Sequence, residues 1–360
     1  MFQSDKQTQL NELHDEGYQQ FKDDIADIEE LIPKLRDIDY RLFDEDDDYS
    51  LSFPQSSRAS RSRVDDDPVL LAQDFLDAIY KINVILVYYP LKELPLYLEL
   101  FADCVDACSL DNLPHDESRF NTDEIYQLNR CVRRIQRCLR EEDTVKEIKR
   151  IERQGIMQTR SVRTYIDQLF NSYAKLQVIR IDFHYQKGLP IRYAEIHQHR
   201  EQLIRYLREK HLGHAHVGFI WKLEYGLRKS YHLHMVIFMD GSKVQQSVSH
   251  GKVICDHWNK EITRGKGTSF NCNANMSRYR ECGIGEVNYY DENKINALYK
   301  ACHYLTKYDP YIDIMQQAEA RALLQEDSFD LSMQIANGRV FGRGQLPRIR
   351  PKLGRVRSRC

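Results

Sequence analysis

At Leu176 the spacing of apolar residues along the chain switches from every third or fourth position to every second, and no other feature restricts the fold as strongly. Upstream, from Pro68 to about Asn171, the pattern is helical. An apolar segment runs from Val69 to Val87, a second lies around Tyr97 to Val105, and a charged helix is predicted from Asp123 to about Arg153. Downstream, Val178–Tyr185 predicts a strand, Ile191–Lys210 a helix, Val217–Tyr225 and Tyr231–Asp240 a hairpin, and Val248–Ile262 a helix. A loop rich in Gly, Asn and Ser then precedes a short strand near Glu286–Tyr290 and a helix from Asn293 to about Tyr308. The order β-α-β-β-α-β predicts an α+β fold, a ferredoxin-like split β-α-β antiparallel sheet with covering helices, preceded by a helical domain.

The 360 residues suffice for more than one domain at the usual ~100–200 residues each. Residues 1–40 are expected to form an acidic helical segment, with Leu13, Phe21, Ile25, Ile28, Leu31 and Leu35 at mostly helical spacing. Residues 41–67 read as a disordered acidic and Ser/Arg linker, 68–171 as the helical domain, 172–312 as the sheet domain, and 313–360 as a helix and basic tail. The net charge of −2 hides a polarity: residues 1–67 carry 8 Lys/Arg against 19 Asp/Glu, whereas the last 22 residues hold eight cations and no acid. Arg348, Arg350 and Lys352 belong to that cationic arm, which suits phosphate neutralisation on nucleic acid. Nine scattered cysteines read as reduced core thiols. With no apolar membrane span and no leader-like start, the expectation is a cytoplasmic protein without a membrane partner.

The chemistry-bearing segment is Tyr231-His232-Leu233-His234-Met235-Val236-Ile237-Phe238. On a strand, His232 and His234 face one side and can share one metal ion, while Leu233, Met235 and Ile237 face the other. Thirteen histidines make about half a chance His-x-His occurrence, and the chain holds three, so placement decides. His197 and His199 fall on a helix, where residues two apart diverge by ~200°, and read as a surface feature. His214 and His216 lie where the alternation has barely begun. Glu224 ends the preceding strand opposite the face of Phe219, Trp221, Leu223 and Tyr225. A short turn returns that strand beside His232, completing a two-imidazole, one-carboxylate ligand set with open positions. Arg180, Asp182 and His184 form a polar row on the first strand, suited to holding phosphate and orienting a ligand. On the last predicted helix, Tyr304, Lys307 and Tyr308 cluster on one flank. A phenol, with a pKa near ~10, attacks only with a metal or cation beside it.

Together these residues resemble the HUH endonucleases, a superfamily of rolling-circle replication initiators, relaxases and transposases. More narrowly, Arg180-Ile181-Asp182, Trp221-Lys222-Leu223-Glu224-Tyr225-Gly226, Tyr231-His232-Leu233-His234 and Tyr304-Leu305-Thr306-Lys307 look like the YagK/YfjJ-type replication proteins of filamentous phages (inoviruses) and prophages. Trp258, Gly265-Lys266-Gly267 and Cys282-Gly283-Ile284-Gly285 fit as well, so the similarity spans 176 to about 345. The resemblance implies Mg²⁺ or Mn²⁺ on His232, His234 and Glu224, and attack by Tyr304 on single-stranded origin DNA. A 5′-phosphotyrosine and a free 3′-OH would result, with helicase and polymerase supplied by the bacterial host. Some initiators use two tyrosines four residues apart, a spacing Tyr304 and Tyr308 satisfy. The alternative is a catalytically inactive prophage DNA-binding regulator on the same fold.

Overall fold

The computed structural model describes residues 15–45, 51–52, 67–89, 93–110, 113, 120–211, 213–226, 230–325, 335 and 338–345. They divide into two compact units, residues 1–150 and 151–360. The division falls at 150/151, inside the helix Glu142–Ser172, whereas the sequence predicts a boundary at 171/172.

The first unit is helical: α1 (Asp15–Leu35), a two-residue pairing of β1 (Asp44–Glu45) with β2 (Leu51–Ser52), α2 (Pro68–Tyr88), α3 (Leu96–Ala107) and α4 (Thr122–Cys138). Phe21, Ile25, Ile28, Leu31 and Leu35 are buried, as their spacing requires, while Leu13 lies outside the described residues. The expected linker is not all linker. Leu42 and Phe43 are fully buried, and the Asn129 side chain binds both backbone groups of Phe43; residues 46–50 and 53–66 of that segment lie outside the described residues. The charged helix expected over Asp123–Arg153 is two helices, α4 and α5 (Glu142–Ser172), parted at Leu139–Glu141. Asn121 and Glu124 cap the start of α4 reciprocally, with bonds of 3.0 and 2.8 Å. Cys104, Cys108 and Cys131 are buried free thiols of this core.

The second unit holds the sheet. Its strands are β3 (Lys175–Tyr185), β4 (His216–Gly226), β5 (Ser230–Asp240), β6 (Gly267–Asn271), β7 (Gly285–Asn288) and β8 (Phe341–Arg343). Its helices are α6 (Tyr193–Glu209), α7 (Ser247–His257, running on through a π turn at Trp258–Ile262), α8 (Glu292–Tyr304) and α9 (Pro310–Gln325). The order β6-β3-β5-β4-β8, with β7 also on β3 and every pairing antiparallel, is the expected split β-α-β arrangement with two strands added, β6 on β3 and β8 on β4. β6 lies in the segment read as a loop; its Gly, Thr, Ser and Asn give no apolar alternation to see. The helix expected after 313 is α9, which begins at Pro310 and buries Ile312, Ala320 and Leu323, and β8 beyond it pairs with β4.

The two faces of the sheet differ, and the difference creates the site. On one face, Ile179, Ile181, Phe183, Phe219, Trp221, Leu223, Leu233, Met235 and Ile237 pack under α6, α7 and α9. On the other, Val178, Ile220, Val236 and Phe238 pack under Val162, Ile166 and Leu169 of α5 and Ile295, Leu298 and Cys302 of α8. Each fully buried side chain of this size contributes about 1.5–3 kcal/mol. Toward one end of these strands that second face turns polar, with Arg180, Asp182, Lys222, Glu224, His232 and His234 in place of aliphatic side chains.

Candidate metal centre

Strand register assembles the centre. Asp182 sits directly across from His234 on β5, and Glu224 directly across from His232. Opposed residues of an antiparallel pair share a face, so all four converge. Glu224 Oε2 lies 3.1 Å from His234 Nε2 and 3.3 Å from His232 Nε2. Their ligand atoms all lie within 4.8 Å of one another. Among the described residues no other such cluster forms. His234 Nδ1 donates to Asp182 Oδ1 at 2.7 Å, which turns Nε2 toward Glu224. Two imidazole nitrogens and a carboxylate oxygen at this separation fit a divalent ion and leave positions for a further ligand.

The electrostatics point the same way. Burial opposes a charge on His234, but the hydrogen bonds to Asp182 and Glu224 outweigh it and raise its pKa to about 9. Burial likewise opposes ionisation of Glu224, and His232 and His234 overcome it to hold the carboxyl below its ordinary range. The centre therefore keeps its carboxylates ionised and attracts positive charge, as a proton or as a metal ion.

Tyr304 is the last residue of α8, so the predicted helix to Tyr308 is too long. Leu305 and Thr306 close with i→i−3 bonds, the Thr306 hydroxyl donates to the His303 carbonyl at 2.8 Å, and Pro310 opens α9. Lys307 and Tyr308 therefore do not sit on the helix flank. Lys307 reaches Tyr304 by a turn, its Nζ 5.6 Å from the ring centroid, while the Arg180 guanidinium lies 6.0 Å from it. Tyr304 is half exposed. Burial raises its pKa, Glu224 and Asp182 add to the rise, and Arg180 counters it.

Arg180 is mostly buried, its Nε 3.5 Å from Asp182 Oδ1. Asp182, read as a DNA or ligand-orienting residue, is placed on His234. Arg348, Arg350 and Lys352 lie outside the described residues. His199 is no surface residue: it is buried, its Nδ1 2.7 Å from the Tyr185 hydroxyl. Sequence reasoning missed Asp309, which accepts from the backbone N–H of Tyr225 and of Tyr311, both at 2.9 Å, and so ties α9 to the end of β4 beside Glu224. Its signal was the Asp-Pro pair that commonly opens a helix. Lys222, across from His234, is also buried and was passed over as part of the strand.

The fold and the centre together define an α+β protein whose antiparallel sheet presents a His-His-Glu set able to hold a metal ion. Residues 140–318 match the model of the YagK/YfjJ C-terminal domain, which supports that family for this stretch of the chain. The match begins just before α5, upstream of the alternating segment at Leu176, and so includes the helix that covers the apolar part of the second face. None of the curated proteins and none of the solved structures matches the chain. Among the described residues no helix is long and apolar enough to cross a membrane.

Proposed function

We propose that the second unit is an HUH-type nicking enzyme that cuts single-stranded DNA through Tyr304 and initiates rolling-circle replication of a phage or prophage. The observation that carries this reading is the convergence of Glu224, His232 and His234 on one face, with Tyr304 near enough for the Glu224 carboxylate to raise its pKa. His232, His234 and Glu224 would hold Mg²⁺ or Mn²⁺, whose chemistry there is Lewis-acid polarisation of a phosphodiester oxygen.

The protein's own groups supply the rest. Asp182 fixes the ring of His234 so that Nε2 stays directed at the centre. The Tyr304 oxygen attacks the phosphorus, forming a phosphotyrosyl ester as the P–O3′ bond breaks; the phenolic proton leaves to solvent and the departing 3′ oxygen acquires one. One phosphodiester is exchanged for another, so the reverse reaction religates the strand without ATP. The carboxylates that raise the phenol's pKa oppose this attack in the metal-free protein, whereas positive charge at the centre and on Arg180 and Lys307 promotes it.

The test is a nicking assay on a random-sequence single-stranded oligonucleotide pool with Mn²⁺. Cleavage should require the metal, cease with chelator and be lost in His232→Ala. Absence of cleavage from the pool and from filamentous-phage origin strands would refute the reading.

A further inference from the structure

The polar part of the second sheet face continues past β3 onto the edge strand β6. Phe270 is the register partner of Asp182, and Thr268 that of His184. Phe270 therefore shares the face of the metal centre. The flanking Ser269 and Asn271 confirm this, since both turn the other way, Ser269 to Asn259 at 3.2 Å and Asn271 to the Val248 carbonyl at 3.0 Å. The Phe270 ring is 42% exposed on an edge strand, where an apolar aromatic gains little from the core.

A second exposed ring follows on the segment after β6. Tyr279 follows the 3₁₀ helix Cys272–Arg278 and is 38% exposed. Burial raises the pKa of its hydroxyl, Cys272 and Asp182 add to the rise, and the Cys272 thiol itself lies 3.7 Å from Asp182 Oδ2. Neither ring stacks on another among the described residues. The exposed side chains Arg278 and Arg280 flank Tyr279, so the local sequence is Arg-Tyr-Arg. Open ring faces interleaved with cations, continuous with a phosphodiester-cleaving centre, match the two halves of an unpaired strand: stacking bases and anionic phosphates. Bases in a duplex already stack on each other and have no free face to offer.

We infer that Phe270 and Tyr279 form a base-stacking subsite that holds single-stranded DNA on the β6 side of the metal centre, with Arg278 and Arg280 on its phosphates. The inference rests on the DNA-cleaving reading of the centre and adds the residues that select an unpaired strand.

Fluorescence anisotropy of the full chain in EDTA, with labelled oligo(dT) and a hairpin duplex as probes, tests it without cleavage. Oligo(dT) should bind at least about tenfold more tightly than the duplex. Phe270→Ala and Tyr279→Ala should each weaken oligo(dT) binding about tenfold. Phe270→Trp and Tyr279→Phe should keep it, and Mn²⁺ affinity measured by calorimetry should be unaltered in all four. Unchanged oligo(dT) affinity in both alanine variants would overturn the subsite and leave the nuclease reading intact. Equal binding of duplex, or loss of Mn²⁺ affinity alongside loss of DNA affinity, would also overturn it. A wild-type chain that binds no single strand would remove both readings.

Discussion

Asp182 Oδ1 accepts a hydrogen bond from His234 Nδ1 at 2.7 Å from the directly opposed position of the neighbouring strand. The bond fixes both the tautomer and the ring plane of a residue whose other nitrogen faces Glu224. Partners of this kind change metal affinity by about 10–100-fold when removed. Asp182→Ala should therefore weaken Mn²⁺ binding by that factor in calorimetry without unfolding the sheet. Unchanged affinity would show that His234 is oriented by something else.

The same contact sets a pH dependence in the metal-free protein. With the folded pKa of His234 raised to about 9 from an ordinary 6.5, its stabilising contribution is fully present below the ordinary value and is lost as pH rises through about 9. The urea midpoint measured in EDTA should fall between these values. Asp182→Asn should flatten that slope, because the anion that favours the proton is gone. A slope identical to that of the wild type would contradict the assignment of the charge to this pair.

Gly283 is where backbone meets backbone: a Cβ there would lie 2.2 Å from the Leu298 nitrogen in α8. Nothing flexible is available to move. Gly283→Ala should cost about 1–3 kcal/mol of stability, read by denaturant unfolding. By displacing the helix that ends in Tyr304, it should reduce cleavage while leaving Mn²⁺ affinity at the sheet intact. Equal losses of both would mean that the whole sheet, not the helix, had shifted.

The sheet was legible because strands with one buried face write their register into a period of two, as Leu233, Met235 and Ile237 do against His232 and His234. The ligand set followed from that alternation plus a short turn. β6 was invisible because five residues of mainly small and polar type carry no period, although Phe270 at its centre carries an exposed ring. The end of α8 was overrun because Ala301, Cys302 and Leu305 keep helical spacing past the point where Thr306 and Pro310 stop the helix. The boundary at 150/151 could not be read either. Helix Glu142–Ser172 keeps one period throughout, and only packing shows that Val162, Ile166 and Leu169 cover the sheet. His199 was misjudged because helical spacing tells which way a side chain points, not whether a tyrosine hydroxyl is waiting there.

The most direct measurement is mass spectrometry of the tryptic peptides after incubation with single-stranded substrate and Mn²⁺. A nucleotide should be found esterified to Tyr304, absent from Tyr304→Phe and retained in Tyr308→Phe. A nucleotide on Tyr308 in the wild-type chain, or an adduct that persists in Tyr304→Phe, would contradict the assignment of Tyr304 as the nucleophile.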